Sequence, residues 1–463
     1  MASVIMGRPN IPNVTLRYSD RTVQRPRSSD ALVFCILLAM VALCRLQLTI
    51  PWLTQMPIRE ALYAYLYARL ILRNQLKWDK RLTLIVSYLG ACLVVALNTY
   101  VRYGPDMALH GFKRFVGVAL LAPLASVVLE NPKHIAMALY TWLGAVLIGA
   151  GSLVYEIMTG QVAALAEGLN PTRGGLTRYL TLLGEPNVGG MVSVLVFTFA
   201  ILYVRTTLIQ LPLMLAAAVL LFYSLSKAAL AGYVCFVVVL IAVASMYPKR
   251  IFVRSSLRSL AVAAAAMAVI ILFGAERGGG LQRYWNTTEE AFLGTGGTQD
   301  TQHEVLEDLR ERVIDKTLSG LDTAAESSPF YALDVVIGSS YGAAGTAALT
   351  WSSEQVIEPH NGMSEIYFVG GVLLLAIYIL VVKSTIRGLL REFPRDELGA
   401  ALMICVLILS LYTFTYPIEY EPVNGSLFWI IVGLAARPHR TATGPATRRA
   451  APAVRKQQVC ASF

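Results

Sequence analysis

Twelve apolar windows of about 15 to 25 residues divide the chain, beginning near residues 31, 58, 82, 112, 134, 188, 210, 227, 258, 362, 398 and 423. At about 1.5 Å of rise per residue, segments of this length cross or nearly cross a hydrocarbon layer of about 30 Å. The pattern predicts an all-α, polytopic integral membrane protein of about twelve transmembrane helices. A polar tail over 1–30 leads into a membrane domain over 31–436, and a second tail covers 437–463. No small-residue cleavage site follows the first apolar run, which is expected to remain as a helix. The window at 58–73, IREALYAYLYARLILR, carries two competing expectations. Glu60 and Arg69 lie inside it, and an amphipathic helix of this kind also suits the membrane interface.

The polar interval at 275–361 is the longest between windows. Within it, TQHEVLEDLRERVIDKTLSG predicts an amphipathic helix. Thr301 and Glu304 make a capping-box pair, and Leu306, Leu309, Val313 and Leu318 recur at helical spacing. Asp308 and Arg312 can pair one turn apart, and Gly320 ends the segment. The stretch RPHRTATGPATRRAAPAVRK near the C-terminus has the composition of a disordered tail.

Composition agrees with this picture. The chain is 56% hydrophobic and 15% charged, against about 25% charged in a soluble domain, which excludes a soluble multi-domain protein. If all twelve windows cross, both termini share a side. That side then holds 25 of the 39 Lys and Arg residues and the opposite side 11, while Arg45, Arg59 and Arg69 fall inside windows. Basic residues mark the cytoplasmic side, so both termini are expected in the cytoplasm and 275–361 outside it. Basic residues at helix ends, near anionic headgroups, also account for the net charge of +10 without a nucleic-acid partner. The outer interval holds fourteen acidic residues against five basic ones, so an arginine there needs a local reason. The cysteines at 35, 44, 92, 235, 405 and 460 show neither a disulfide framework nor a metal spacing. The terminal CASF matches a prenylation box only formally, because Ser462 occupies an aliphatic position.

Polar groups at the window boundaries are few. In QVIEPHNGMSEIYFVGG, His360 and Asn361 follow Pro359 at the mouth of the tenth window. A neutral imidazole at an accessible membrane surface takes a proton from an attacking alcohol; the plainer alternative is a loop histidine bonded to a backbone carbonyl. His360 has no companion His or Cys at zinc-ligand spacing, and neither metal nor cofactor is expected. In FYSLSKAAL, Lys227 lies between two apolar windows, where an ammonium either snorkels or meets an anion such as a lipid headgroup. In RGGGLQRYWNTT, Arg283 follows the ninth window beside Tyr284 and Trp285, as an anion ligand or as an ordinary flank of an aromatic belt, and Arg277 competes with it. Arg178, in RYLTLLGEPNVGG, either contacts ligand or ends a turn. Glu419 and Glu421, in YPIEYEPVNG, are either solvated loop charges or carboxylates that orient a base or cation. One base and several cations on the side without ATP suit transfer from a pre-activated donor. A lipid-linked diphosphate sugar is such a donor, and fixed cations stabilise its leaving group.

In chain order, LGEPNVGGMVSVL, SLSKAALAGYVCF, RYWNTTEEAF, VIGSSYGAAG and PHNGMSEIYFVGG resemble motifs of the O-antigen polymerase and ligase family of bacterial envelope polysaccharide assembly. The resemblance covers about residues 175–385. It implies a GT-C-type fold in the bacterial inner membrane, with 275–361 as a large periplasmic loop between the ninth and tenth helices of a catalytic membrane domain. It implies inverting, metal-independent transfer of a glycan from undecaprenyl diphosphate to an acceptor hydroxyl. His360 takes the place of the base, Arg283 that of the arginine after the ninth helix, and Glu419 or Glu421 that of an acidic position; Asn361 shares the motif of His360. At the diphosphate-binding motif the family has Ser-Arg-Gly, whereas this chain reads Ser226, Lys227, Ala228: lysine keeps the charge and loses the planar fork. Arg178 and Arg277 complete the substrate-binding candidates. The implied partners are the lipid-linked donor, a glycan or lipid A core as acceptor, membrane lipids and a chain-length regulator. A polymerase is favoured over a ligase. A secondary transporter also suits twelve helices, but the chain shows no internal repeat and keeps its ionisable groups at the outer boundary.

Overall fold

The computed structural model describes residues 28–43, 57–73, 75, 79–159, 172–173, 176–177, 181–184, 186–224, 227–246, 331–338, 341, 362–392, 396–414, 416, 418 and 421–437. Within these residues the chain is helical, apart from a two-residue antiparallel ladder pairing Thr172–Arg173 with Leu176–Thr177. In chain order the helices are α1 Ser28–Ala42, α2 Ile58–Leu72, α3 Lys80–Tyr103, α4 Pro105–Ala119, α5 Leu121–Val128, α6 Pro132–Thr159 and α7 Pro186–Leu202. They continue with α8 Thr207–Ser224, α9 Lys227–Met246, α10 Tyr331–Ile337, α11 Gly362–Glu392, α12 Glu397–Tyr412 and α13 Pro422–Ala435.

Four of these segments are long and apolar enough to cross a membrane: α3, the α4 and α5 pair over Pro105–Val128, α6 over Pro132–Glu156, and α11 over Gly362–Arg391. Shorter apolar stretches lie in α1, α7, α8, α9, α12 and α13. Length and composition are those of an α-helical membrane protein. The apolar window beginning near 258, the amphipathic helix expected at 301–320 and residues 1–27 and 438–463 lie outside the described residues.

The core forms around α13. Every residue from Val423 to Ala435 is buried, as expected of a helix that is apolar all round. Trp429 packs on Tyr88 of α3 with ring centroids 4.9 Å apart, Phe428 packs on Tyr378 of α11 at 5.9 Å, and the Trp142 indole of α6 donates to the Val423 carbonyl at 3.0 Å.

The window at 58–73 folds as α2, whose Tyr63, Leu66 and Leu70 form a buried stripe while Tyr65, Ile71 and Leu72 are exposed. Composition explains why this segment is not among the apolar spans: its charged and aromatic residues share one short amphipathic helix. Its two inward tyrosines stitch it to a neighbouring break. Pro123 has no N–H to give the preceding turn, and interrupting the span at Leu120 puts this proline in the first turn of α5, where none is needed. At that break the Tyr63 hydroxyl donates to the Gly117 carbonyl at 2.5 Å and the Tyr67 hydroxyl to the Leu120 carbonyl at 2.8 Å.

One end of the bundle gathers basic side chains. Asp30, 2% exposed in the first turn of α1, meets Arg69 at 2.8 Å and Arg73 at 3.1 Å in the last turn of α2, so these helices run antiparallel. Arg81 donates to the Ala435 carbonyl at 2.6 Å, a cation at the negative end of α13, and Arg437 donates to the Leu129 carbonyl. Gly388 of α11 lies against Ala435, and Arg205 pairs with Glu397 at the start of α12 at 3.0 Å.

α11 is not one straight rod. Gly371 has φ 63° and ψ −165°, a break inside the helix. The geometry of Thr413 shows how sharp it is. The Met363 N–H donates to the Thr413 carbonyl at 3.2 Å, and the Tyr378 hydroxyl lies 3.0 Å from the Thr413 hydroxyl. On a continuous helix those two residues are about 22 Å apart along the axis, more than a tyrosine side chain bridges. Residues 362–370 therefore bend over the end of the bundle. Residues 372–392 still provide about 31 Å of helix, enough to span.

Candidate functional site

The opposite end of the bundle collects the helix ends that carry two of the candidate residues, Lys227 and Glu421. α12 starts beside the basic cluster and finishes at Tyr412, about 24 Å away. There the tip of the Tyr412 ring rests against Gly232 in the second turn of α9, which opens at Lys227. The next residue, Thr413, receives the Met363 N–H, one residue into α11. The Thr413 hydroxyl donates to the Leu409 carbonyl at 3.2 Å and accordingly accepts from Tyr378. Soon after, the chain enters α13 through Glu421. The starts of α9, α11 and α13 thus meet around the end of α12.

Glu421 is buried, 5% exposed, and caps α13. One carboxylate oxygen accepts the Val423 N–H at 3.1 Å and the other the Asn424 N–H at 2.6 Å, with Pro422 at the first helical position. An N-terminal carboxylate also faces the positive end of the helix dipole. Of its two sequence alternatives, the solvated loop charge does not hold, because burial and two backbone bonds fix this group. Lys227 is described as the first residue of α9. His360, Asn361, Arg283, Arg277, Arg178 and Glu419 lie outside the described residues.

Two docked loop segments frame this end. The bridge between Thr181 and Gly184 carries Leu183 onto Gly149 of α6, and the Leu182 N–H reaches the Ser152 hydroxyl at 3.3 Å. The second follows α10. Gly338, at φ 82°, crosses the break in α11 so closely that a Cβ on it would enter the Val369 carbonyl, and a Cβ on Gly371 would lie 2.5 Å from the Val336 carbonyl. Only two glycine backbones fit this crossing. Beyond it, Tyr341 packs on Phe115 at 5.2 Å and donates its hydroxyl to the Cys92 carbonyl at 2.7 Å, while its N–H reaches the Thr99 hydroxyl. Asn98 donates to the Gly338 carbonyl at 3.1 Å. These bonds fasten part of the 275–361 interval to α3 and α4.

The sequence did not single out Asn424. Its side chain is 0% exposed, and neither Oδ1 nor Nδ2 has a hydrogen-bond partner. The available signal was a carboxamide in a helix whose other polar side chain, Ser426, answers itself by donating to the Val423 carbonyl. Asp30 was also missed. Its signal was Arg69 and Arg73, one turn apart in an apolar hairpin, which require an acidic partner in the adjoining helix. Among the described residues no cluster of His, Cys, Asp and Glu is arranged to hold a metal ion. No family model matches the chain, and no curated protein matches it.

Proposed function

We propose that the protein is a polysaccharide polymerase of the bacterial inner membrane, of the O-antigen polymerase and ligase type. It transfers a glycan from undecaprenyl diphosphate to an acceptor sugar hydroxyl at the periplasmic face. In this proposal about twelve helices form a GT-C-type fold, the basic end of the bundle is cytoplasmic together with both termini, and the opposite end carries the reaction. His360 removes the acceptor proton as the new glycosidic bond forms with inversion, and the carrier diphosphate leaves against Lys227, Arg283 and the other basic candidates. Asn361, Glu419 and Glu421 support that constellation.

The observation that carries the proposal is the meeting of the starts of α9, α11 and α13 at the end of α12, away from the basic end. Lys227 opens the first of these helices, His360 precedes the second by two residues, and Glu421 caps the third. A lysine at a helix start adds its charge to the dipole, which suits an anionic diphosphate.

The test is complementation of a deletion strain. His360→Ala is expected to reach the membrane at wild-type level yet produce no chain-length ladder, and a normal ladder from that variant removes the base from the mechanism. Lys227→Arg is expected to retain activity, and Lys227→Ala to raise the apparent donor KM about tenfold or more. An unchanged donor KM in Lys227→Ala rules out the diphosphate role. A ligase would instead require lipid A core as acceptor, so the identity of the glycosylated product separates the two members of the family.

A further inference from the structure

We propose that the basic end of the bundle holds an anionic phospholipid at a cleft between α3, α11 and α13; the proposal goes beyond the glycan-transfer reading and does not depend on it. The cleft is lined by Arg81 and Leu84 of α3, Val381 and Ser384 of α11, and Val432 and Ala435 of α13. Its edges differ from its floor. Val381, Val432 and Ala435 are buried, whereas Arg81, Leu84 and Ser384 are half-buried. The mouth therefore opens between α3 and α11. Both helices carry exposed apolar side chains near it, Val86 on α3 and Leu380 on α11. Leu380 stands four residues before Ser384 and so on the same face of α11, which makes the mouth continuous with an apolar outer surface.

Cations gather at the other end of this mouth. The Ala435 carbonyl accepts from Arg81 at 2.6 Å and lies equally close to the place of a Cβ on Gly388. That shared contact sets the Arg81 guanidinium level with residue 388 and next to Arg387. Arg387 is exposed and stands three residues past Ser384, again on the same face. Residues 79–84 and 381–392 together hold five basic side chains against two acidic ones. Of the two, Asp79 caps α3 by accepting the Arg81 and Leu82 N–H groups, and Glu392 ends α11 five residues past Arg387. The local charge is positive. Charge at one end and hydrocarbon at the other select an amphiphile. A soluble anion uses the arginines alone, whereas an anionic phospholipid sets its phosphodiester against Arg81 and Arg387 and its acyl chains along Leu84 and Leu380. The Ser384 hydroxyl is placed between the two. The bond to the Ala435 carbonyl orders the Arg81 side chain beforehand, so less freedom is lost when the phosphate arrives. A choline headgroup brings its own ammonium to the same cations, which disfavours a zwitterionic lipid.

The test titrates the purified full chain, delipidated in neutral detergent, with dioleoylphosphatidylglycerol and with dioleoylphosphatidylcholine, and counts bound lipid by native mass spectrometry. Wild type is expected to bind the anionic lipid about tenfold more tightly than the zwitterionic one. Arg81→Gln and Arg387→Gln are each expected to weaken the anionic lipid about fivefold. Leu84→Trp, which fills the cleft and keeps its charge, is expected to weaken it as well. Arg205→Gln, at the same end but outside the cleft, is expected to bind as wild type does. Equal affinity of wild type for the two lipids overturns the proposal. Wild-type binding by Arg387→Gln or by Leu84→Trp also overturns it, and these two variants decide the matter where Arg81→Gln does not fold. An equal loss in Arg205→Gln overturns it too, because the attraction is then diffuse charge rather than a site. Displacement of the lipid by inorganic phosphate at the same concentration assigns the cations to a free anion and contradicts the lipid. No arm of the experiment measures glycan transfer, so its failure leaves that reading untouched.

Discussion

At the scale of single residues, the bundle tolerates buried polar groups where another group answers them. Asp30 is the clearest instance: its carboxylate lies between Arg69 and Arg73, which keep 23% and 19% exposure while the aspartate keeps 2%. Removing one member of a buried pair costs about 3–5 kcal/mol, and the partial exposure of the arginines places this site at the lower end. Asp30→Ala should therefore lower the thermal midpoint of the purified protein and its yield in the membrane, whereas Asp30→Asn should retain part of the stability. A wild-type midpoint in Asp30→Ala would show that the arginines are satisfied without it. Asn424 breaks the rule that buried polar groups are answered, which is why it stands apart. An unmade hydrogen bond to a buried group costs about 1–3 kcal/mol.

At the scale of elements, the apolar windows that fall on described residues coincide with helices, and they register bends poorly. The window starting near 112 begins inside α4, whose first turns PDMALHGFK are too polar to count as apolar, and runs on across the break at Leu120 that accommodates Pro123. The tenth window starts in the right place, yet Gly370 and Gly371 within it read as ordinary small residues of a membrane helix. Their role depends on Gly338, more than thirty residues upstream, whose backbone crosses theirs. No local pattern reports such a contact. Gly371→Ala places a methyl group 2.5 Å from the Val336 carbonyl at a φ of 63°, so it should destabilise the protein by several kcal/mol and loosen the docked 331–341 segment. Limited proteolysis measures this directly: faster cleavage near α10 is expected in Gly371→Ala, and an unchanged digestion pattern would show that the crossing is not required. Tyr341→Phe, losing one hydroxyl bond to the Cys92 carbonyl, should cost only about 1 kcal/mol.

At the scale of the whole molecule, charge and geometry agree on two unlike ends. Arg73, Arg81, Arg205 and Arg437 mark one of them, and the starts of α9, α11 and α13 mark the other. The distribution of Lys and Arg along the sequence predicts such an asymmetry, and scarcity of polar groups at window boundaries selects the candidate residues. It could not show that Glu421 caps α13, since N-caps of this kind depend on where the helix starts. A reporter fused after residue 463 should fluoresce as a cytoplasmic fusion and be inactive as a periplasmic phosphatase; the reverse would invert the bundle and place the candidate site on the wrong face.

The most direct measurement reconstitutes the purified protein in sealed vesicles with lipid-linked repeat units and follows glycan length together with released undecaprenyl diphosphate. The account predicts longer glycans and one carrier diphosphate released per unit joined, both lost in His360→Ala. Passage of the lipid-linked unit across the vesicle membrane with no change in glycan length would contradict it.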